Sequence, residues 1–252
     1  MKIEKIKQTK SGKYKIELDN SESIVTYADA ILKNNLLFTK ELDQEKLSKL
    51  YKDTSYYDVY NKVIKYISKK LRSEKEIRDY LKDSLVDIDN IIEDLKKIGL
   101  LNDNVFAKAY VNDRLYLSND GPKKISSALE EHNIPSELIE DLIYSNSDNF
   151  KLKLEKIIKK KIKANTKSNS MLKQKLLYDL INQGYNKEDI VELFDKNLIP
   201  NDNILKEYDK LYKKLSSKYV DNELLKQIKN KLYQKGYNLS EINEVIDKKN
   251  SD

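Results

Sequence analysis

Apolar residues along most of this chain recur at steps of three and four, which is the spacing of one face of an α-helix. The clearest case follows Ser73 and Glu76, which have the spacing of a capping box. In that motif the serine side chain accepts a hydrogen bond from the amide three residues on, and the glutamate side chain reaches back to the serine amide. A helix is therefore predicted to begin here. Its apolar positions are Ile77, Tyr80, Leu81 and Leu85.

Two more helices are predicted directly after this one. Asp87 is placed to cap the second, which keeps the same period until Gly99, a residue type that commonly ends helices. Asn102 and Asp103 precede the third helix, so the connection after Gly99 is short. Short connections between helices of this length favour compact bundling.

The same apolar pattern returns three more times along the chain, at steps of 48, 51 and 52 residues. The sixteen matching positions are Ile77, Leu81, Ile91 and Leu95; Ile125, Leu129, Ile139 and Ile143; Leu176, Leu180, Ile190 and Phe194; and Ile228, Leu232, Ile242 and Ile246. In the last two units Asn186 and Asn238 are predicted to cap the third helix. The period is longer than that of tetratricopeptide or ankyrin repeats, and it predicts a tandem array of three-helix modules.

The first residues follow a different pattern, because their apolar positions alternate. Residues 2–9 and 14–18 are predicted to form a β-hairpin around a turn containing Gly12, and residues 24–26 a short third strand. Two strands alone are only marginally stable, so helices are predicted at 27–36 and 43–51 to cover them.

The predicted fold class is therefore mainly α, with about four tandem three-helix repeats after a small N-terminal head of hairpin plus helices. We expect the head to span residues 1–55, and the repeats to span residues 56–103, 104–147, 148–199 and 200–252.

Composition supports the helical prediction and excludes several kinds of chemistry. The 252 residues include only five Gly and three Pro, too few for a turn-rich β protein. The absence of Cys excludes Cys-based metal sites and nucleophiles, and a single His, His132, excludes most other metal and acid–base constellations. No Gly-rich phosphate loop is present either. We expect no cofactor, no metal and no enzymatic activity. Lacking a long apolar segment or a signal peptide, the protein is expected in the cytoplasm, without membrane contact.

Charge is distributed unevenly, although the net charge is only +6. Residues 151–175 contain ten Lys and one acid, Glu155. Four of the lysines recur at helical spacing and form one basic face: Lys156, Lys159, Lys160 and Lys163. Such a face is either ordinary solvated surface or the footprint of contact with phosphate or an acidic protein.

Arginine is rare in this chain, and its positions are therefore informative. Of 48 basic residues only Arg72, Arg78 and Arg114 are arginines, and all three fall between residues 66 and 122. A planar, forked donor is the property that distinguishes arginine from lysine. Either a need for that donor or chance explains the cluster.

Three segments in the same region resemble the RecX family of bacterial regulators of the RecA recombinase. KLRSEKEIRDYL at residues 70–81 is similar to the family's Arg-Ser-x-x-Glu-Leu signature. GLLNDNVFAKAYVNDRL at 99–115 is similar to its Asp-Asp-x-x-Phe-Ala segment, with Asn102 in place of the first acid. Gly121-Pro122-Lys123-Lys124-Ile125 is similar to its Gly-Pro-x-x-Ile step.

This resemblance implies an all-helical array of three-helix repeats that lodges in the groove of the RecA filament on single-stranded DNA and limits its activity. Among the motif residues, those expected to be structural are Ser73, Glu76, Asp103, Phe106, Ala107 and Gly121. Those expected to contact the partner are Arg72, Arg114, Lys123 and Lys124, together with the four lysines of the 156–163 face. The protein is expected to act as a monomer, with DNA itself as a second candidate partner. A direct nucleic-acid-binding protein and a generic helical scaffold are the alternatives.

Overall fold

The chain opens with a small antiparallel sheet whose inner face is apolar. The computed structural model describes residues 1–198 and 202–251. Its strands are β1 (Ile3–Gln8), β2 (Tyr14–Leu18) and β3 (Ser23–Thr26), in the order β1-β2-β3. Ile16 pairs with Ile6 on one side and Ile24 on the other. Because alternate residues face the same side, Ile16, Leu18 and Ile24 are buried together. The hairpin and the third strand are confirmed.

The described part of the chain contains thirteen helices after the sheet. They are α1 (Ala28–Lys33), α2 (Gln44–Ile67), α3 (Glu74–Leu81), α4 (Ile88–Lys97), α5 (Asp103–Leu117), α6 (Pro122–Glu131), α7 (Ser136–Ser145), α8 (Ser147–Lys163), α9 (Asn169–Asn182), α10 (Lys187–Asn197), α11 (Asp202–Leu215), α12 (Asp221–Gln234) and α13 (Leu239–Ser251). From α2 onward they form four successive sets of three, which confirms the predicted fold class.

The chain forms two compact units, Met1–Phe106 and Ala107–Asp252. The first contains the sheet and helices α1 to α4, and the second contains α6 to α13, while α5 begins in one and continues in the other. The predicted boundary between the third and fourth repeats, at residues 199 and 200, lies outside the described residues.

The helices that cover the sheet differ from the prediction. Instead of ending near residue 51, α2 continues without a break to Ile67, and α1 has only six residues. No Gly or Pro interrupts α2, and its Thr54 hydroxyl donates to the Leu50 carbonyl at 2.7 Å inside the helix. Polar side chains that can bond to the preceding turn are compatible with a continuous helix.

A buried carboxylate joins the two covering helices. Asp53 on α2 accepts a hydrogen bond from the Asn34 amide at 2.7 Å and pairs with Lys33 at 2.9 Å. Buried carboxylates need such partners because leaving one unpaired costs several kcal/mol. Asp53, which lies beyond the predicted end of this helix, therefore connects α2 to α1.

Most of the predicted helix caps are present. Ser73 and Glu76 form the complete capping box at the start of α3, and Asp87 accepts from two amides of α4. Gly99 has a φ of 73°, the left-handed conformation that ends α4. Asn238 and Glu241 exchange hydrogen bonds of 2.8 Å at the start of α13. Asn186 was predicted to cap α10, but its side chain makes no capping bond.

The repeating apolar positions form the core, as predicted. Of the sixteen positions with matching spacing, every one except Ile143 is buried. Those of the first, third and fourth three-helix modules belong to three separate clusters. Each fully buried Ile or Leu contributes about 1.5–3 kcal/mol through removal of apolar area from water. Ile143 on α7 is half-buried, a difference that matters below.

Candidate partner interface

Arg72 lies just before α3 and contacts the capping box of that helix. Its Nη1 donates to Glu76 Oε1 at 2.8 Å, and Glu76 in turn accepts from the Ser73 amide at 3.1 Å. Burial opposes ionisation of Glu76, but the hydrogen bonds from Arg72 and the Ser73 amide hold the pKa of this carboxyl below its usual value. Arg72, Ser73 and Glu76 are thus linked by hydrogen bonds at the start of α3.

The Arg72 guanidinium also stacks on an aromatic ring. Its central carbon lies 3.8 Å from the centroid of Tyr66, and Tyr66 is stacked on Tyr80 with centroids 4.3 Å apart. Only 13% of the Arg72 side chain is exposed, and its buried Nε has no hydrogen-bond partner. The planar guanidinium of Arg72 therefore already contacts side chains of the first unit. The prediction that Arg72 contacts a partner remains untested, and this placement favours a structural role.

The second family segment ties the start of α5 to α3. Asp103 accepts a hydrogen bond from the Glu74 amide at 2.8 Å. Asn102 accepts from the amides of Asn104 and Val105, so it caps α5 as an aspartate would. Phe106 and Ala107 are buried. The segment is thus held within the protein by hydrogen bonds and burial, and its expected structural role remains a prediction.

Gly121 begins α6 at a point where two backbones approach closely. Its amide donates to the Gln183 carbonyl at 2.6 Å, and the Lys123 amide donates to the Gly184 carbonyl at 3.1 Å. A Cβ on Gly121 would lie 2.7 Å from the backbone carbon of Gly184. Only glycine permits this approach, so the N-terminus of α6 meets the C-terminus of α9 directly.

The next module repeats this joint. The Ser168 amide, at the start of α9, donates to the Lys235 carbonyl at the end of α12 at 2.9 Å. A Cβ on Gly236 would collide with Met171 and Ser168. In both joints the N-terminus of one second helix meets the C-terminus of the next, an alignment that helix dipoles favour. Sequence analysis missed these joints, although the glycines at 121, 184 and 236 were their signal.

Arg114 lies near the end of α5 and remains accessible. Its side chain is 45% exposed, with Nη1 3.7 Å from Asp120 Oδ2 and the guanidinium carbon 5.0 Å from the Tyr110 centroid. Lys124 shares the same carboxylate at 2.7 Å. Burial opposes ionisation of Asp120, but hydrogen bonds from Lys124 and Ser118 keep its pKa below the usual value. The structure therefore brings Arg114 and Lys124 together, and the Lys123 side chain is exposed beside them.

Lys153, which the sequence did not single out, connects α8 to the end of α5 and to the segment before α6. Lys153 on α8 donates to the Arg114 carbonyl at 3.0 Å and to the Asp120 carbonyl at 3.1 Å. Burial lowers the pKa of Lys153. Its position among the many lysines of α8 carried no distinguishing signal, because its two acceptors lie more than 30 residues away.

The predicted basic face is present on α8. Lys156, Lys159, Lys160 and Lys163 are all exposed, and the opposite side of the helix is buried through Leu154, Ile158 and Ile162. Lys159 pairs with Glu155 at 2.9 Å. The other three lysines have no carboxylate partner among the residues that the structure describes. Such a surface favours contact with an anion.

Neither a metal cluster nor a membrane span is found in the described ranges 1–198 and 202–251. No group of three or more His, Asp or Glu side chains there could hold a metal ion, and no helix there is long and apolar enough to cross a bilayer. His132 follows α6, where its ring lies 6.0 Å from that of Tyr110.

Comparison with known families finds two matching domains. Residues 60–94 match the first three-helix domain of RecX, and residues 102–143 match its second three-helix domain. These ranges contain the capping box of α3 and the Gly121 joint.

Curated relatives match over almost the whole chain. The chain is 32% identical over 257 aligned positions to the regulatory protein RecX of Streptococcus agalactiae serotype III, covering 98% of each chain. It is 29% identical, with the same coverage, to that of Streptococcus gordonii.

Two solved structures share the fold. One, a crystal structure of regulatory protein RecX, has a TM-score of 0.66 at 21% identity, covering 77% of this chain and 98% of that one. The other, RecX from Lactobacillus salivarius, has a TM-score of 0.52 at 24% identity, covering 57% and 96%.

Proposed function

Because the chain belongs to the RecX family of regulatory proteins, we propose that it binds the filament of the RecA recombinase on single-stranded DNA and inhibits its recombinase, ATPase and coprotease activities. The proposed action is non-enzymatic and takes place in the cytoplasm, with the protein as a monomer. Binding of this protein would reduce the activity of the filament, because it would limit filament growth or favour filament disassembly.

The observation that carries this proposal is the basic face of α8. Lys156, Lys160 and Lys163 are exposed and have no carboxylate partner among the described residues, so their charge is available to a partner. A filament on DNA offers both phosphates and acidic protein surface. Binding through such charges weakens as salt rises, because counterions screen and compete for them.

The first test measures single-stranded-DNA-dependent ATP hydrolysis by the recombinase as this protein is added. We expect a dose-dependent fall at less than one regulator per recombinase. The triple variant Lys156→Ala/Lys160→Ala/Lys163→Ala should need about tenfold more protein for the same inhibition, since each phosphate contact adds to affinity.

The matched control is the triple variant Lys210→Ala/Lys213→Ala/Lys214→Ala. These lysines are exposed on α11, the first helix of the next module, so the change in net charge is identical. Equal inhibition by the two variants would refute the role of the α8 face. Unchanged hydrolysis with wild-type protein at any dose would refute the proposed function.

Direct nucleic-acid binding is the second candidate, and the same lysines favour it. Against it, the second helices of the modules carry acids such as Glu76, Asp79, Glu130 and Glu131, where a helix that reads a groove needs Arg, Asn or Gln. Equal affinity for free DNA with and without recombinase would favour this alternative.

A further inference from the structure

The second unit contains a groove, and none of the residues that line it is assigned to the proposed function. It lies between α6, α7, the start of α8 and the start of α10, and its volume is about 460 Å³. Ile143, Phe150 and Leu154 line it, so its floor is apolar. This volume is in the range of sites that take a large side chain or a small ligand.

The groove is where the repeating core pattern is left incomplete. Ile143 is the single one of the sixteen matching positions that is not buried, whereas Leu95, Phe194 and Ile246 at the same place in the other modules are fully covered. Next to it Tyr144 is 81% exposed. An apolar core position left open in one module of four marks a surface that is available to a partner.

The wall of the groove also carries polar groups without partners. Tyr185 is only 3% exposed, yet its hydroxyl makes no hydrogen bond within the described structure. Burial raises the pKa of Tyr185 to about 12, so the hydroxyl keeps its proton and can donate. Asn186 beside it, the residue predicted to cap α10, is exposed and makes no side-chain capping bond. A buried donor without an acceptor costs about 1–3 kcal/mol, so the wall of the groove is a locally destabilised part of the fold.

The rim of the groove is acidic in a chain that is basic overall. Glu140, Asp148 and Asp189 line it, and none of them has a cationic partner among the described residues. The lysine that lines it, Lys151, is already paired with Glu192 at 3.2 Å. The rim therefore attracts a cation, which is the opposite preference from that of the α8 basic face.

We propose that this groove binds a segment of a partner protein in which a Lys or Arg adjoins a large apolar side chain. The apolar side chain would pack on Ile143, Phe150 and Leu154. The cation would pair with the rim carboxylates of Glu140, Asp148 and Asp189. This site is separate from the lysine face and does not depend on the proposed function.

The test uses fluorescein-labelled nine-residue peptides and the full-length protein. One peptide has Lys-Phe-Lys at its centre with Gly and Ser elsewhere, and two controls replace both lysines by Glu or the Phe by Ser. Fluorescence anisotropy at low salt should show the first peptide binding about tenfold more tightly than either control. Equal binding of the three peptides would overturn the proposal.

Two protein variants locate the site. Glu140→Lys/Asp148→Lys should weaken binding of the Lys-Phe-Lys peptide about tenfold, because two attractions become repulsions. Glu130→Lys/Glu131→Lys makes the same charge change at exposed positions at the end of α6 outside the groove, and should bind as wild type. If the two variants bind equally, the peptide does not use the groove and the proposal fails.

Sedimentation tests the alternative occupant: wild-type self-association that Glu140→Lys/Asp148→Lys abolishes would make the groove a contact between copies, and would overturn the proposal.

Discussion

Arg72 makes two contacts that depend on the shape of its guanidinium. One edge of the plane donates to Glu76, and its face covers the ring of Tyr66. A lysine would keep the charge, but it offers neither a flat face nor a fixed donor direction. An arginine at this position of a lysine-rich chain is therefore explained within the first unit, with no partner needed.

This explanation predicts that Arg72→Lys destabilises the protein. The stacking contact and the charged hydrogen bond together should cost about 1–2 kcal/mol of unfolding free energy. Arg78→Lys is the matched control, because the Arg78 side chain is 43% exposed and pairs with Glu74 and with the exposed Asp89. That change should cost less than about 1 kcal/mol. Urea denaturation followed by circular dichroism measures both, and equal losses would contradict the structural role of Arg72.

At the scale of elements, the second helices of successive modules are joined end to end. The starts of α6 and α9 each donate an amide to the end of the second helix in the following module. Gly184 is the tightest point of the first joint, since its φ is 90° and a Cβ there would lie 2.5 Å from the Lys124 nitrogen. The joint thus depends on the absence of a side chain on two facing glycines.

The joint predicts different costs for two glycine substitutions. Gly99→Ala introduces only left-handed strain, about 1 kcal/mol, because nothing lies within 4 Å of its Cβ position. Gly184→Ala has the same kind of strain and also collides with the backbone of α6, which should add about 1–3 kcal/mol. Comparing their thermal midpoints isolates the joint. A Gly184→Ala loss no larger than that of Gly99→Ala would show that the two modules separate easily.

Across the whole molecule, the features that could be predicted from the sequence are those that depend on the spacing of residues within one helix. The capping box of Ser73 and Glu76 spans four residues, and the buried positions repeat within each helix, so both could be predicted from the sequence. The sequence did not predict three contacts: the stack of Arg72 on Tyr66, the contact of Gly121 with Gly184, and the two hydrogen bonds donated by Lys153. Each of these depends on how separate helices pack, and no local pattern specifies that packing.

Asn186 shows the same limit, because the capping bond that its sequence position favours does not form. Its residue type and position favour a cap, yet its side chain makes no capping bond and the residue lines the groove. Local preference for a cap is worth about 1 kcal/mol, which tertiary context can override. A mismatch between local preference and structure is expected at functional sites.

Acid sensitivity is a property of the whole molecule, because both units contain carboxylates that are more acidic when folded. Burial opposes ionisation of Asp58, Glu74, Glu76 and Asp120, but hydrogen bonds from neighbouring cations, hydroxyls or amides hold the pKa of each below its usual value. Their stabilisation is complete above the unfolded pKa values of about 3.9–4.3 and is lost as pH falls through the lower folded values. The unfolded chain binds more protons in that range.

We therefore expect urea midpoints to be nearly constant from neutral pH to about pH 5 and to fall steeply below about pH 4. The Glu76→Gln variant should start less stable at neutral pH and lose less on acidification, because it has one fewer carboxylate to protonate. Its curve and that of the wild type should converge at low pH. A wild-type midpoint that stays level down to pH 3, or parallel curves for the two proteins, would show that these ion pairs do not stabilise the fold.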